Sequence, residues 1–178
     1  MIFPKRPPMI EETPNNPSFS WNATAFFEDL TKHNKLAQKK GFTFCRVSGL
    51  DGFEELLAKM MTKTAFVCVS DISQGFTDIN NTPHTRRVKT VFLAMRHAID
   101  DMKARERCMN TMRELFRQFM SVLIMEQTRL QEHSIYVDPR ISFQEIDRYF
   151  LSGCACAYFQ IGVETYTDLQ YNTEEWTK

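Results

Sequence analysis

Residues 100–131 read DDMKARERCMNTMRELFRQFMSVLIMEQTRLQ, and this stretch decides the fold. Asp100 and Asp101 favour the positive amino end of a helix. Met102, Cys108, Met109, Met112, Leu115, Phe116, Phe119, Met120, Leu123, Ile124 and Leu130 then recur at 3.6-residue spacing as far as about Gln131. Charges over residues 100–132 balance, six acidic against six basic. Met-rich stripes can be adaptable binding surfaces. At this spacing the stripe reads first as the core side of one long amphipathic helix.

Upstream of that helix, Arg86–Arg96 reads as a strand, apolar on both faces over Val91–Met95. Ala65–Ser70 reads as a buried strand. Between them Asp71–Thr85 reads as a long polar loop with Gly75, Asn80, Asn81 and Pro83. Two strands with no helix between them predict an antiparallel pair. Further back, Asp51 caps a short helix to about Lys63, and Phe42–Val47 alternates as a short strand. Ser20 or Asn22 caps a helix carrying Phe26, Phe27, Leu30 and Leu36 to about Lys40, with Gly41 as its stop.

Downstream, His133–Val137 reads as extended chain stopped by Asp138-Pro139, and Ile141–Ile146 is ambiguous. Gly153 opens the last strand. Its Ala155, Ala157, Phe159, Ile161 and Val163 face one way, and Cys154, Cys156, Tyr158, Gln160 and Glu164 the other. An acidic tail follows, ending near Trp176. The expected architecture is α+β: an antiparallel sheet of about four strands, packed against the long helix and the N-terminal helix.

Residues 1–20 stand apart, because Pro4, Pro7, Pro8, Pro14 and Pro17 fall there out of seven prolines in all. Proline fixes φ and removes a donor, so an extended proline-rich arm is expected. Its Ile2, Phe3, Met9, Ile10 and Phe19, with Trp21 just beyond, are apolar anchors. They dock either on their own domain or on a neighbouring subunit. The domain division is then 1–20 arm and 21–178 single α+β domain.

The composition is that of an ordinary globular chain: 178 residues, 43% hydrophobic and 25% charged. Lys plus Arg equals Asp plus Glu at 22 each, which disfavours a protein living on nonspecific phosphate contacts. No apolar window suggests a signal peptide or a membrane span, so synthesis in the cytoplasm and no membrane partner are expected. The five cysteines are then free thiols.

Signatures of catalysis are missing from the sequence. The six glycines form no dinucleotide or phosphate-loop fingerprint, and no nucleophile elbow or His-Glu-x-x-His is present. Cys154 and Cys156 fall on one strand face, but a structural zinc needs two further ligands and none is spaced for it. No cofactor and no metal are expected. One charge feature stands out. No acidic residue lies between Asp78 and Asp100, while Arg86, Arg87, Lys89 and Arg96 do. Such a basic strand suits an acidic partner or a phosphate.

The order of elements resembles the tail terminator and tail-completion (neck) proteins of tailed bacteriophages, of the kind found in phages of Bacteroidetes-type hosts. Ala65–Ser70, Arg86–Arg96, Asp101–Leu130 and Gly153–Asn172 carry the resemblance, the last through AYFQIGVETYTDLQYN. The proline-rich stretch and the helix at Asp51–Lys63 depart from the family pattern. This leaves the station open between terminator, head–tail connector and another ring or sleeve component. The resemblance implies a non-enzymatic virion structural protein forming a ring with copies of itself, commonly a hexamer, between the tail tube and the head–tail connector. On that reading Phe3 and Ile10 lace onto a neighbour. Phe76 and Asn80 of the long loop, Arg86, Arg87 and Lys89 of the basic strand, and Trp176 of the tail are the further candidate partner contacts. Two other classes stay open. One is a small intracellular enzyme, a metal-dependent nuclease or thiol enzyme. The other is a nucleic-acid-binding accessory module using Arg86, Arg87, Lys89 and the lysines at 32–40.

Overall fold

The computed structural model describes residues 10–13, 16–80, 82–146 and 153–177. Among them are β1 (Ile10–Thr13), β2 (Asn16–Trp21), α1 (Ala23–His33), α2 (Lys35–Lys40), β3 (Phe42–Val47), α3 (Gly49–Lys59), β4 (Ala65–Ser70), β5 (Gln74–Asp78) and β6 (His84–Arg96). After these come α4 (Met102–Glu132), β7 (Ile135–Val137), β8 (Ser142–Ile146), β9 (Cys154–Tyr166) and a short 3-10 turn at Thr173–Glu175. The class is α+β, with α4 as expected. The Asp101 carboxylate caps α4 by accepting the Ala104 N–H at 2.8 Å.

The sheet is larger than the expected four antiparallel strands. It has seven, β3 to β9, and it is mixed. Two long antiparallel strands form its spine, with His84 opposite Tyr166 at one end and Arg96 opposite Cys154 at the other. At the Arg96 end, β4 and β3 extend the sheet beyond β6, and β8 borders β9. At the His84 end, β5 borders β6 and β7 borders β9. β3 and β4 are parallel. Parallel neighbours need a crossover, and α3 supplies it.

That crossover decides the layering. α1 and α4 lie on one sheet face, over Val67, Val69, Val91, Leu93, Phe159 and Ile161. Phe27 joins the layers, its ring 5.7 Å from Phe119 and 5.6 Å from Phe159. α3 covers the opposite face, setting Phe53 and Leu57 on Phe66, Cys68 and Phe92. Phe53 and Phe92 stack at 4.7 Å. Every residue of β4 is therefore buried, which is why it reads as an unbroken apolar run. Fully burying each such phenylalanine contributes about 1.5–3 kcal/mol.

Other boundaries also differ from expectation. The N-terminal helix breaks at Asn34, whose N–H closes α1 on the Leu30 carbonyl while its Oδ1 caps α2 by accepting the Ala37 N–H. Gly41 ends α2 at φ 69°, the left-handed conformation glycine adopts without strain. α3 starts at Gly49, before the expected Asp51 cap. Ser48 occupies the cap position but makes no capping bond. Its hydroxyl donates to Asp71 at 3.2 Å.

The proline-rich arm is corrected as well. Ile10–Thr13 and Asn16–Trp21 pair as an antiparallel two-stranded ribbon. Glu12 pairs with Phe19 but Thr13 with Asn16, so Pro17 falls in the register shift, where it removes no ladder bond. The expected anchor Phe3 lies outside the described residues. Ile10 pairs with Trp21.

Candidate functional site

Side chains alternate across a strand, and this divides the basic strand between two sites. Arg86 projects to the α3 side of the sheet. Arg87 is exposed and shares the α1 side with Lys89.

On the α3 side, that helix covers only the Arg96 half of the sheet. Over the His84 half, Phe76, Arg86, Glu164 and Tyr136 stand directly opposite one another across β5, β6, β9 and β7. Phe76 is 54% exposed, Tyr136 53% and Tyr166, at the end of β9, 45%. At the centre, Arg86 is ion-paired with Asp138, and its Nε lies 4.0 Å from Glu164. The row thus has aromatic ends and a charge-compensated middle. Exposed aromatics around a held arginine are the composition of protein contact surfaces. Below the row, a cavity of about 630 Å³ opens between the start of α3, Val88, Thr90 and β8.

On the other side, a hollow of about 440 Å³ lies beside the amino end of α1, lined by Trp21, Arg46, Arg87, Lys89 and Thr165 among others. The Arg46 and Arg87 guanidinium groups form no hydrogen bond or ion pair with any described residue. Lys89 Nζ is tethered to the Asp71 carbonyl at 2.9 Å and the Ser70 carbonyl at 3.3 Å. Burial lowers the Lys89 pKa, Asp71 opposes that shift, and the nearby Arg87 and Arg46 charges deepen it. Acidic groups at the rim are engaged: Glu28 pairs with Lys32 at 2.7 Å, and Asp71 accepts from Ser48. Among the described residues the positive charge of the hollow is therefore left uncompensated, and the amino end of α1 adds to it.

The long loop expected over Asp71–Thr85 contains the strand β5 and runs into the start of β6. β5 and the start of β6 form an antiparallel hairpin, with Asp78 opposite His84 beside its turn. Asn80 is exposed at that turn, where its N–H donates to the Asp78 carboxylate at 2.8 Å. Arg96 belongs to the frame: it donates to the Lys63 and Leu57 carbonyls and lies over the Phe66 ring. Trp176 is exposed and stacks on Tyr171. Arg46, Tyr136, Asp138 and Tyr166 were not among the expected contacts. Strand alternation gives the facing of Arg46 within Phe42–Val47. That it joins Arg87 and Lys89 depends on strand order.

The five cysteines are free. Cys45 lies directly opposite Cys68 on the parallel pair. The hydrogen bond with the Cys68 thiol holds Cys45 down to about 7, against burial, with Lys63 adding to the shift. Cys68 is correspondingly raised by that bond and by burial. A 3.9 Å contact from Cys45 to the Met60 sulfur favours the thiol and is the weaker influence. Among the described residues no group of three or more His, Cys, Asp or Glu is arranged to hold a metal ion, and no helix is long and apolar enough to cross a membrane.

No protein-family model matches the chain, and no curated protein matches it either.

Proposed function

We propose that this chain is a non-enzymatic virion structural protein, a tail terminator or neck ring component joining the tail tube of a phage to its head. The observation that carries the reading is the half of the sheet that no described helix covers, where exposed Phe76 and Tyr136 flank the Arg86–Glu164 pair in one row across four strands. A lone domain gains nothing from holding large aromatic groups in water, and a subunit that buries them against a neighbour does. The β5–β6 hairpin adds Phe76 and Ile79 as exposed apolar groups on a projecting element. The edge strand β5 offers unpaired backbone groups for a neighbouring chain. The element order described above supports the same station.

On this reading copies pack side by side into a closed ring, with six as the expected number, and the hairpin meets the tube or the adjoining connector ring. The test is mass by light scattering on the eluting purified chain, then negative-stain imaging alone and with tail-tube protein. A closed ring, formed alone or on the tube, is expected. A monomer that stays monomeric and leaves the tube ends unchanged would refute it.

A further inference from the structure

Two features of opposite charge remain unmatched among the described residues. One is the hollow beside α1, where Arg46 and Arg87 form no ion pair with a described residue and both raise the positive charge around Lys89. The other is the stretch after β9. Residues 167–177 contain Asp168, Glu174 and Glu175 and no Lys or Arg.

That stretch is rooted and shaped rather than packed. The Thr167 N–H donates to the Pro83 carbonyl at 3.0 Å, and the Thr167 hydroxyl meets that of Thr85 at 2.6 Å. Beyond this root its hydrogen bonds are local. Asp168 accepts the Gln170 N–H, and Asn172 accepts the Glu174 N–H through its side chain at 3.0 Å. Tyr171 and Trp176 stack on each other at 6.1 Å and are 73% and 65% exposed. Glu174 and Glu175 form ion pairs with no described residue. Among the described residues, the stretch beyond this root is thus a preshaped and largely exposed acidic and aromatic element.

We infer that the hollow formed by Arg46, Arg87 and Lys89 receives the acidic C-terminal tail of a second copy of this chain. The inference rests on the assembly reading for the presence of that copy. Charge selects the occupant. Two guanidinium groups form bidentate bonds to carboxylates, and Trp21 on the hollow wall gives the tail aromatics an apolar surface. The chain's own tail does not fill the hollow, since none of residues 167–177 lines it. Each copy carries one hollow and one tail, so the contact runs head to tail, the kind that closes rings.

The test has two arms, both on the full chain. In the first, a fluorescently labelled peptide of residues 167–177 is titrated with the full chain at low and high salt. Saturable binding is expected. It should weaken about tenfold or more in Arg46→Glu/Arg87→Glu and fall as salt rises. Absence of binding, or binding indifferent to that double variant, overturns the inference whether or not rings form.

In the second, association is measured for Arg46→Glu/Arg87→Glu, for Glu174→Arg/Glu175→Arg, and for their equimolar mixture. Each alone should lose assembly, and the mixture should regain it, because every hollow then meets a tail of opposite charge. Assembly unchanged in both variants overturns the inference and leaves the ring reading standing. A chain that binds the peptide yet stays monomeric at every concentration, with and without tail-tube protein, overturns both.

Discussion

The Arg86 guanidinium and the Asp138 carboxylate meet directly over the backbone of Gly162. A Cβ at position 162 would collide with both groups. The pair is about a quarter exposed, so separating it costs modestly. Gly162→Ala should destabilise the chain by about 1–2 kcal/mol in urea unfolding. In an Asp138→Ala background the same change should cost less, because half of the obstruction is gone. Equal costs in the two backgrounds would show that the crowding is not with this pair.

Gly75 meets a harder obstacle, because a Cβ there would run into the Arg86 backbone carbonyl. Backbone cannot step aside as a side-chain end can. Gly75→Ala should detach β5 from β6 and leave the rest of the sheet intact. Hydrogen exchange should then show loss of protection over residues 74–78, with β4 and β9 unchanged. If rings form, the same variant should weaken them, since Phe76 loses its place in the aromatic row.

The layer under α3 depends on one stacked pair. Phe92→Ala should cost about 3–5 kcal/mol, because the Phe53 ring is left facing a cavity. Thermal unfolding measures it. A loss below about 1 kcal/mol would mean that α3 collapses onto β6 with little penalty.

Cys45 is the thiol to watch as pH rises. Its pKa is held down to about 7 by the bond with Cys68, so the thiolate accumulates through neutral pH. Alkylation followed by peptide mass spectrometry should show Cys45 reacting ahead of the buried Cys68, Cys154 and Cys156, with a midpoint near pH 7. Cys68→Ala removes the donor and should move that midpoint upward, slowing the reaction at neutral pH. An unmoved midpoint would assign the shift to Lys63 instead.

What could be read from the sequence follows from what each signal encodes. α4 was legible because apolar residues recur at helical spacing over eight turns without help from any neighbour; Met109, Met112, Leu115, Phe119, Leu123 and Leu130 of that stripe are buried, while Met102 and Ile124 are exposed. The alternation of β9 and the apolar run of β4 were legible for similar reasons. β5 was not, because Gln74–Asp78 is mostly exposed and carries no alternation. Its strand state comes from pairing with β6. The parallel placement of β3 was hidden too, since periodicity states that a segment is extended and not which way its neighbour runs. Asn34 did carry a local signal, because an asparagine suits both the end of one helix and the cap of the next. In the candidate sites, alternation alone separates Arg86 from Arg87 and Lys89. Bringing in Arg46, Tyr136 and Asp138 required strand order, which is a property of the whole chain.

The spine of the sheet also sets the order in which the chain is able to fold. β4 and β5 precede β6 in sequence and border one of its edges, but its other edge is filled by β9, the last strand, with α4 and two short strands in between. During synthesis, β6 must therefore wait with one long apolar edge unpaired until β9 has left the ribosome. Through that interval β4 can close its other edge and α3 can shield one face, but neither closes the edge reserved for β9. Slow translation through residues 97–153 would then prolong exposure of that edge and raise the fraction of chains captured by aggregation or by holding chaperones.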